Sequence, residues 1–189
     1  MPTTPENIHE LRDRWSRGER LPLLHFWGHH PRPGESSGPH MLSQWWPCTF
    51  TWEGLTLPSA EHGMMLGKAR LFGDTEIAEK ILATSAPDVA KRLGRKVRGF
   101  DTDRWEAARE ALVTSVNVAK FGQDPERLAY LLSTGDSVLI EASPSDTIWG
   151  IGLAASDPRA KSPLEWRGLN LLGFALMRAR GVLRAGAMG

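Results

Sequence analysis

From residue 59 to its C-terminal end the chain is punctuated almost entirely as helices, and no other feature constrains its fold as much. Ser59 is placed to cap a helix running to about residue 71. Asp74 is placed to cap the next, with Ile77, Ile81 and Leu82 turned inward. Ser85-Ala86-Pro87-Asp88 offers a capping serine, a proline in the first turn and a carboxylate at the third position, and Gly94 is a natural stop. Trp105, Ala108, Leu112, Val116 and Ala119 form one stripe of a long amphipathic helix. Asp124-Pro125 opens another, closed by Gly135, and a last helix covers about residues 169–183. Near the start, Ile8, Leu11 and Trp15 are spaced as a helix ahead of Gly18. Strand signals are few: residues 23–27, a hairpin of 48–52 with 55–57 around Glu53-Gly54, and residues 137–142. The alternation of strands and helices that builds a parallel sheet is absent. The expectation is a mainly α fold with a small β element near the N-terminus, preceded by a helical extension over residues 1–21.

Composition narrows the function classes. A chain of 189 residues buries one core of ordinary size. Its 23 basic and 22 acidic residues leave a net charge of +1, which gives no general pull toward nucleic acid or an anionic membrane. Lys91, Arg92, Arg95, Lys96 and Arg98 are the local exception, either a solvated helix end or a phosphate contact. The single cysteine, Cys48, rules out an internal disulfide and a thiolate-built metal site, and points to a reducing compartment. The N-terminal residues lack a basic start followed by an apolar run, and no stretch approaches the ~18 apolar residues of a membrane span. A cytoplasmic protein without membrane attachment is expected. Eight tryptophans stand against one tyrosine, and Trp27, Trp45, Trp46 and Trp52 crowd one window, as core or as stacking surface for a ring-shaped ligand.

Three clusters carry candidate chemistry. In the first, Glu61, Met65 and Lys68 share a helix face, with Glu61 and Lys68 about 10 Å apart along the axis at ~1.5 Å per residue. They suit two ends of one ligand, or a surface pair on an amphipathic helix. Gly63 and Gly67 inside that helix cost roughly 1 kcal/mol each against alanine, so a close-packed neighbour is expected. His62, His25, His29 and His30 match no metal-ligand spacing. The second cluster runs from Glu141 to Gly152 and sets acids, Trp149, Gly150 and Gly152 on one loop, a turn or a cradle for sugar, ring and phosphate. In the third, Asn170, Gly173 and Met177 share a face, with Asn170 a helix cap or a partner for ribose hydroxyls.

The order of these motifs is more specific than any one of them. Phe26-Trp27, Ser43-Gln44-Trp45, Glu61-His62 with Lys68, Trp105, Lys120-Phe121, Leu131-Leu132-Ser133-Thr134-Gly135, Asp146-Thr147-Ile148-Trp149-Gly150-Ile151-Gly152 and Asn170-Leu171-Leu172-Gly173 with Met177 and Arg180 follow one another in the order found in the NADAR family. The chain resembles that family, the YbiA-like proteins, over residues 22 to 184. The resemblance implies a single-domain YbiA-like helical fold over residues 22–189 and N-glycosidase activity without cofactor or metal. Members of the family remove ADP-ribose from guanine bases, or hydrolyse aminouracil ribosyl-phosphate intermediates of riboflavin biosynthesis. The first is the expected activity here, on an ADP-ribose-type or ribosyl-phosphate ligand that includes ADP-ribosylated nucleic acid. The second is the alternative, and a non-catalytic ADP-ribose or NAD-binding module is another. By the same resemblance Glu61, Lys68 and Asp146 are the expected catalytic residues, with Lys68 an amine able to form a Schiff base. Trp27, Gly28, Ser43, Trp46, Trp105, Trp149, Gly150, Gly152 and Asn170 are expected to bind substrate. Glu61, Asp146 and Trp149 should therefore line one pocket. Gln44 stands where the family has Asn, and Gly63-Met64-Met65-Leu66 replaces the aromatic-x-Gln that follows Glu-His, so both departures are expected to border the site.

Overall fold

Short polar residues write most of the helix starts. The computed structural model describes residues 4–31 and 33–187. In α1 (Ile8–Ser16) the Asn7 side chain accepts from the N–H groups of His9 and Glu10. Asp74, Asp101 and Asp124 each accept the N–H three residues on, opening α3 (Thr75–Leu82), α5 (Thr102–Gly122) and α6 (Pro125–Ser133). Two helices start otherwise. Ser59 precedes α2 (Ala60–Leu71) as expected, but its hydroxyl pairs with His62 Nδ1 at 2.7 Å instead of capping. Ala86, not Ser85, is the N-cap of α4 (Pro87–Gly94), which relies on Pro87 alone. With α7 (Leu171–Ala187) there are seven α-helices among the described residues, as expected of a mainly α chain. In α3, Ile77 and Ile81 are buried one turn apart, while Leu82, about 100° further round, is 42% exposed and not inward.

Helix α2 is the centre of the packing. Every residue from Ala60 to Gly67 is buried, so the amphipathic-surface reading of this segment fails. Its glycines do what their cost implied. A Cβ on Gly63 would lie 2.7 Å from Val116 Cγ1, and one on Gly67 2.4 Å from Leu112 Cδ1. The bare face lets α5 lie directly against α2, while α5 packs along α7 on its other side.

Strand β1 (Leu23–Phe26) pairs in parallel with β4 (Val138–Glu141), in register from Leu23 with Val138 to Phe26 with Glu141. This one parallel pair is a departure from the sequence reading: the two strands enclose α2 to α6 in sequence, so no local alternation announces them. The expected hairpin is present as β2 (Phe50–Trp52) and β3 (Leu55–Leu57), turning through Glu53 and Gly54 at positive φ. The N-terminal helical segment, described from Thr4, packs into the same body. Ile8 and Leu11 join the core, and Arg12 donates to the carbonyls of Pro163 and Trp166 at 2.9 and 2.7 Å. No helix among the described residues is long and apolar enough to cross a membrane.

Candidate active site

The end of β4, the first turns of α2, the end of α4, residues 43–45 and the 145–149 loop converge on one cavity of about 290 Å³. Three carboxyl groups enter it, each fixed by its backbone. Glu61, in the first turn of α2, is 4% exposed, and its N–H donates to the Gln44 carbonyl at 2.9 Å. Glu141 is the last residue of β4. Its N–H donates to Asn170 Oδ1 and its carbonyl accepts from Ile151, both at 2.9 Å. Asp146 Oδ1 accepts the N–H groups of Ile148 and Trp149 at 2.9 and 2.8 Å, which closes the loop into a turn. Lys91 and Arg95, one helical turn apart at the end of α4, bring two cations to the same cavity. The Lys91 ammonium lies 5.6 Å from the Trp45 ring centre, and Trp45 and Trp149 supply the aromatic walls.

Burial dominates the electrostatics. It raises the Glu61 carboxyl to about 7, against the pull of Lys91 and the Trp45 indole and with some help from the charge of Asp146. Glu141 is pushed up to about 8, first by burial and then by Asp146, with Lys91 again opposing. The cavity is thus built to hold protons near neutral pH, which is what acid–base chemistry there requires. It has a stability consequence. Both folded-state values lie above the ordinary carboxylate value, so the folded chain binds more protons than the unfolded one between about pH 4.5 and 8. Stability from these groups is full below that window and is lost as pH rises through 7 and 8. Denaturant melts of the ligand-free protein should give a lower unfolding free energy at pH 8.5 than at pH 5.5, and the decline should shrink in Glu61→Gln.

A layer behind the cavity holds residues 43–45. Lys120, on α5, is fully buried and donates to the Ser43 carbonyl at 2.7 Å, and burial lowers its pKa to about 8. Asn117, one turn earlier, accepts from Gln44 Nε2 at 3.1 Å and donates to the Val113 carbonyl. The Lys-Phe end of the long helix is therefore a clamp on the segment that carries Gln44 and Trp45.

The structure brings Glu61, Asp146, Trp149 and Ser43 to one cavity and sets the other expected residues elsewhere. Lys68 is not among the lining side chains: its ammonium sits 4.3 Å over the Phe100 ring and 5.6 Å from that of Trp105. The long axial offset that separates it from Glu61 carries it past Met64 and Met65, which do line the cavity. Trp105 is buried beneath it. Trp27 is 66% exposed and, with Gly28, outside the lining. Trp46 packs edge-on against His40 and near Lys120. Gly150 and Gly152 shape the loop. A Cβ on Gly150 would meet the Glu141 carbonyl at 2.8 Å, and the Gly152 N–H is taken by the Asp146 carbonyl. Asn170, at φ 55, is neither cap nor free ligand, because Oδ1 accepts from Glu141 and Nδ2 donates to the Leu139 carbonyl. The four histidines do not converge on one point: the His29 and His30 rings lie 4.1 Å apart, whereas His25 Nε2 faces the Ala160 carbonyl and His62 faces Ser59. No group of three metal-ligating side chains converges among the described residues. Trp45, Lys91, Arg95 and Glu141 also line the cavity, which settles what the sequence leaves open between core and stacking surface for Trp45, between solvated helix end and ligand contact for the two cations, and between turn and cradle for Glu141. The signal for the two cations was their spacing of four in the basic run. Gln44, Met64 and Met65, where the chain departs from the family pattern, all border the cavity.

Comparisons with known proteins bear on the family and the overall fold. The NADAR domain model matches residues 25–184. The chain is 41% identical to N-glycosidase R617 of Acanthamoeba polyphaga mimivirus, over 80% of this chain and 92% of that one. It is 33% identical to N-glycosidase YbiA of Escherichia coli, over 71% of this chain and 74% of that one. Against the riboflavin biosynthesis protein VVA0006 of Vibrio vulnificus it is 32% identical over 64% of its own length, spanning 31% of that longer protein. The NMR structure of E. coli YbiA superposes with a TM-score of 0.70 at 26% identity, covering 90% of this chain and 89% of that one. With the motifs, the fold and the family model in agreement, the chain belongs to the NADAR family.

Proposed function

We propose that this cavity removes ADP-ribose from guanine bases in nucleic acid by hydrolysing the N-glycosidic bond. Family membership, with relatives named N-glycosidases, makes the chain a hydrolase of N-glycosidic bonds. The observation that carries the finer reading is the pairing in one cavity of buried carboxyls with two cations from a longer basic run. Cleavage builds positive charge on the ribose, which Glu61 and Asp146 stabilise as carboxylates. Lys91 and Arg95 suit the phosphates of the ligand, and Arg92 and Lys96, exposed on the same run, suit a polyanion beyond it. Trp45 and Trp149 are the stacking surfaces for a base. Lys68 stands one helical turn beyond the lining residues Met64 and Met65, against the Phe100 and Trp105 rings, and is the proposed amine that attacks the anomeric carbon of a ligand reaching past them.

An oligonucleotide carrying ADP-ribosylated guanine, followed by mass spectrometry, tests the reading. The expected result is release of ADP-ribose with the base restored, faster than release of aminouracil from its ribosyl-phosphate. The relative named for riboflavin biosynthesis favours the second substrate as the alternative, and a preference for the aminouracil would select it. Thermal stabilisation by ADP-ribose with no product from either substrate would leave only a binding module.

A further inference from the structure

Glu141 has no role in the motifs that define the family resemblance, yet it is the most strongly perturbed carboxyl in the cavity. Its position is set from both sides, since Asn170 and Ile151 clamp the backbone on which it stands. Its Oε2 is buried and has no hydrogen-bond partner among the described residues. An orphaned buried oxygen of this kind costs about 1–3 kcal/mol, so it marks a place where a ligand atom is missing from the arrangement. We infer that Glu141 is the general acid that protonates the departing base.

The division of labour follows from the neighbours. Glu61 faces Lys91, Arg95 and the Trp45 indole, all of which favour its ionised form. Glu141 has Lys91 as its one opposing cation and feels the negative charges of both Asp146 and Glu61. Burial raises both acids, but the cations and the indole that favour a carboxylate stand mainly around Glu61, so Glu141 is the better placed of the two to keep its proton. Protonated, Glu141 offers one O–H donor, and the ring nitrogen of the leaving base, or a carbonyl conjugated with it, is the acceptor. As the bond from the anomeric carbon to the base nitrogen breaks, its electron pair moves onto the base and the Glu141 proton goes with it. The nucleophile fills the anomeric carbon and gives up its own proton to solvent. Glu141 is left as a carboxylate and recovers a proton from water, so one water is consumed per bond cleaved.

The assignment rests on the N-glycosidase reading, and the experiment keeps the two apart. Glu141→Gln keeps shape and volume and should fold, with a melting temperature at pH 8 at or above that of the wild type. On the substrate the wild type cleaves best, kcat should fall about 10²- to 10⁴-fold, the usual worth of a positioned proton donor, with KM changed less than about threefold. The wild-type rate should decline as pH rises through about 8, and this alkaline decline should be missing from the residual activity of Glu141→Gln. A folded Glu141→Gln with wild-type kcat, or with a reduced rate that keeps the alkaline decline, overturns the role of Glu141 while leaving the functional reading intact. A wild type that cleaves neither substrate overturns the functional reading itself.

Discussion

Glu61→Gln is expected to lower kcat/KM by about 10³-fold and, at pH 8, to make the protein more stable. The two effects have one cause. Glu61 is 4% exposed, and burial raises its pKa to about 7. At pH 8 the folded chain must carry that carboxylate in a poorly solvated place. Relative to an ordinary glutamate the cost is about 3 kcal/mol, at ~1.4 kcal/mol per pKa unit over roughly 2.5 units. Glutamine fills the same space without the charge, and its amide can keep the approach of the Trp45 indole. What it cannot do is oppose positive charge growing on ribose during bond cleavage, where a buried, preorganised carboxylate acts with little screening. Thermal melts at pH 5.5 and 8 with rate measurements on the same preparations check both halves. A rate within tenfold of wild type would remove Glu61 from the chemistry. A loss of rate together with a lower melting temperature at pH 8 would show that glutamine disrupts the site and not only its charge.

Helix positions were legible because their causes are local. Asp74 and Asp124 cap where their spacing to the next apolar run says they should. Gly63 and Gly67 imply a close neighbour, and α5 is that neighbour. The parallel pairing of β1 with β4 was invisible, because the partners stand more than a hundred residues apart and nothing short-range links them. The site divides along the same line. Glu61, Asp146, Trp149 and Ser43 lie in motifs ordered enough to be recognised. Glu141 heads a cluster that sequence reads as either a turn or a cradle, and its orphaned oxygen in three dimensions is what singles it out. Motif membership also over-predicted. Asn170 holds the end of β4 and Gly150 lets the loop lie against it, contacts that a motif cannot distinguish from touching substrate.

Borohydride added during turnover is expected to trap a ribosyl adduct on Lys68. The amine stands one turn beyond Met64 and Met65, with the aromatic faces of Phe100 and Trp105 around it. Burial lowers its pKa, which raises the share of free amine that can attack the anomeric carbon. The rings work the other way, since cation–π contact favours the charged form. Attack on the anomeric carbon expels the base, ring opening converts the adduct to an imine, and water releases the sugar. Reduction of the imine leaves a secondary amine that peptide mass spectrometry locates by its added mass. The adduct should appear on Lys68 in the wild type and be absent in Lys68→Ala. Lys68→Arg keeps the charge and the ring contacts but cannot form an imine, so its turnover should fall by at least about 10²-fold. If no adduct forms and Lys68→Arg still turns over, Lys68 is a cation held between two rings, and the carboxyls of the cavity must activate water directly.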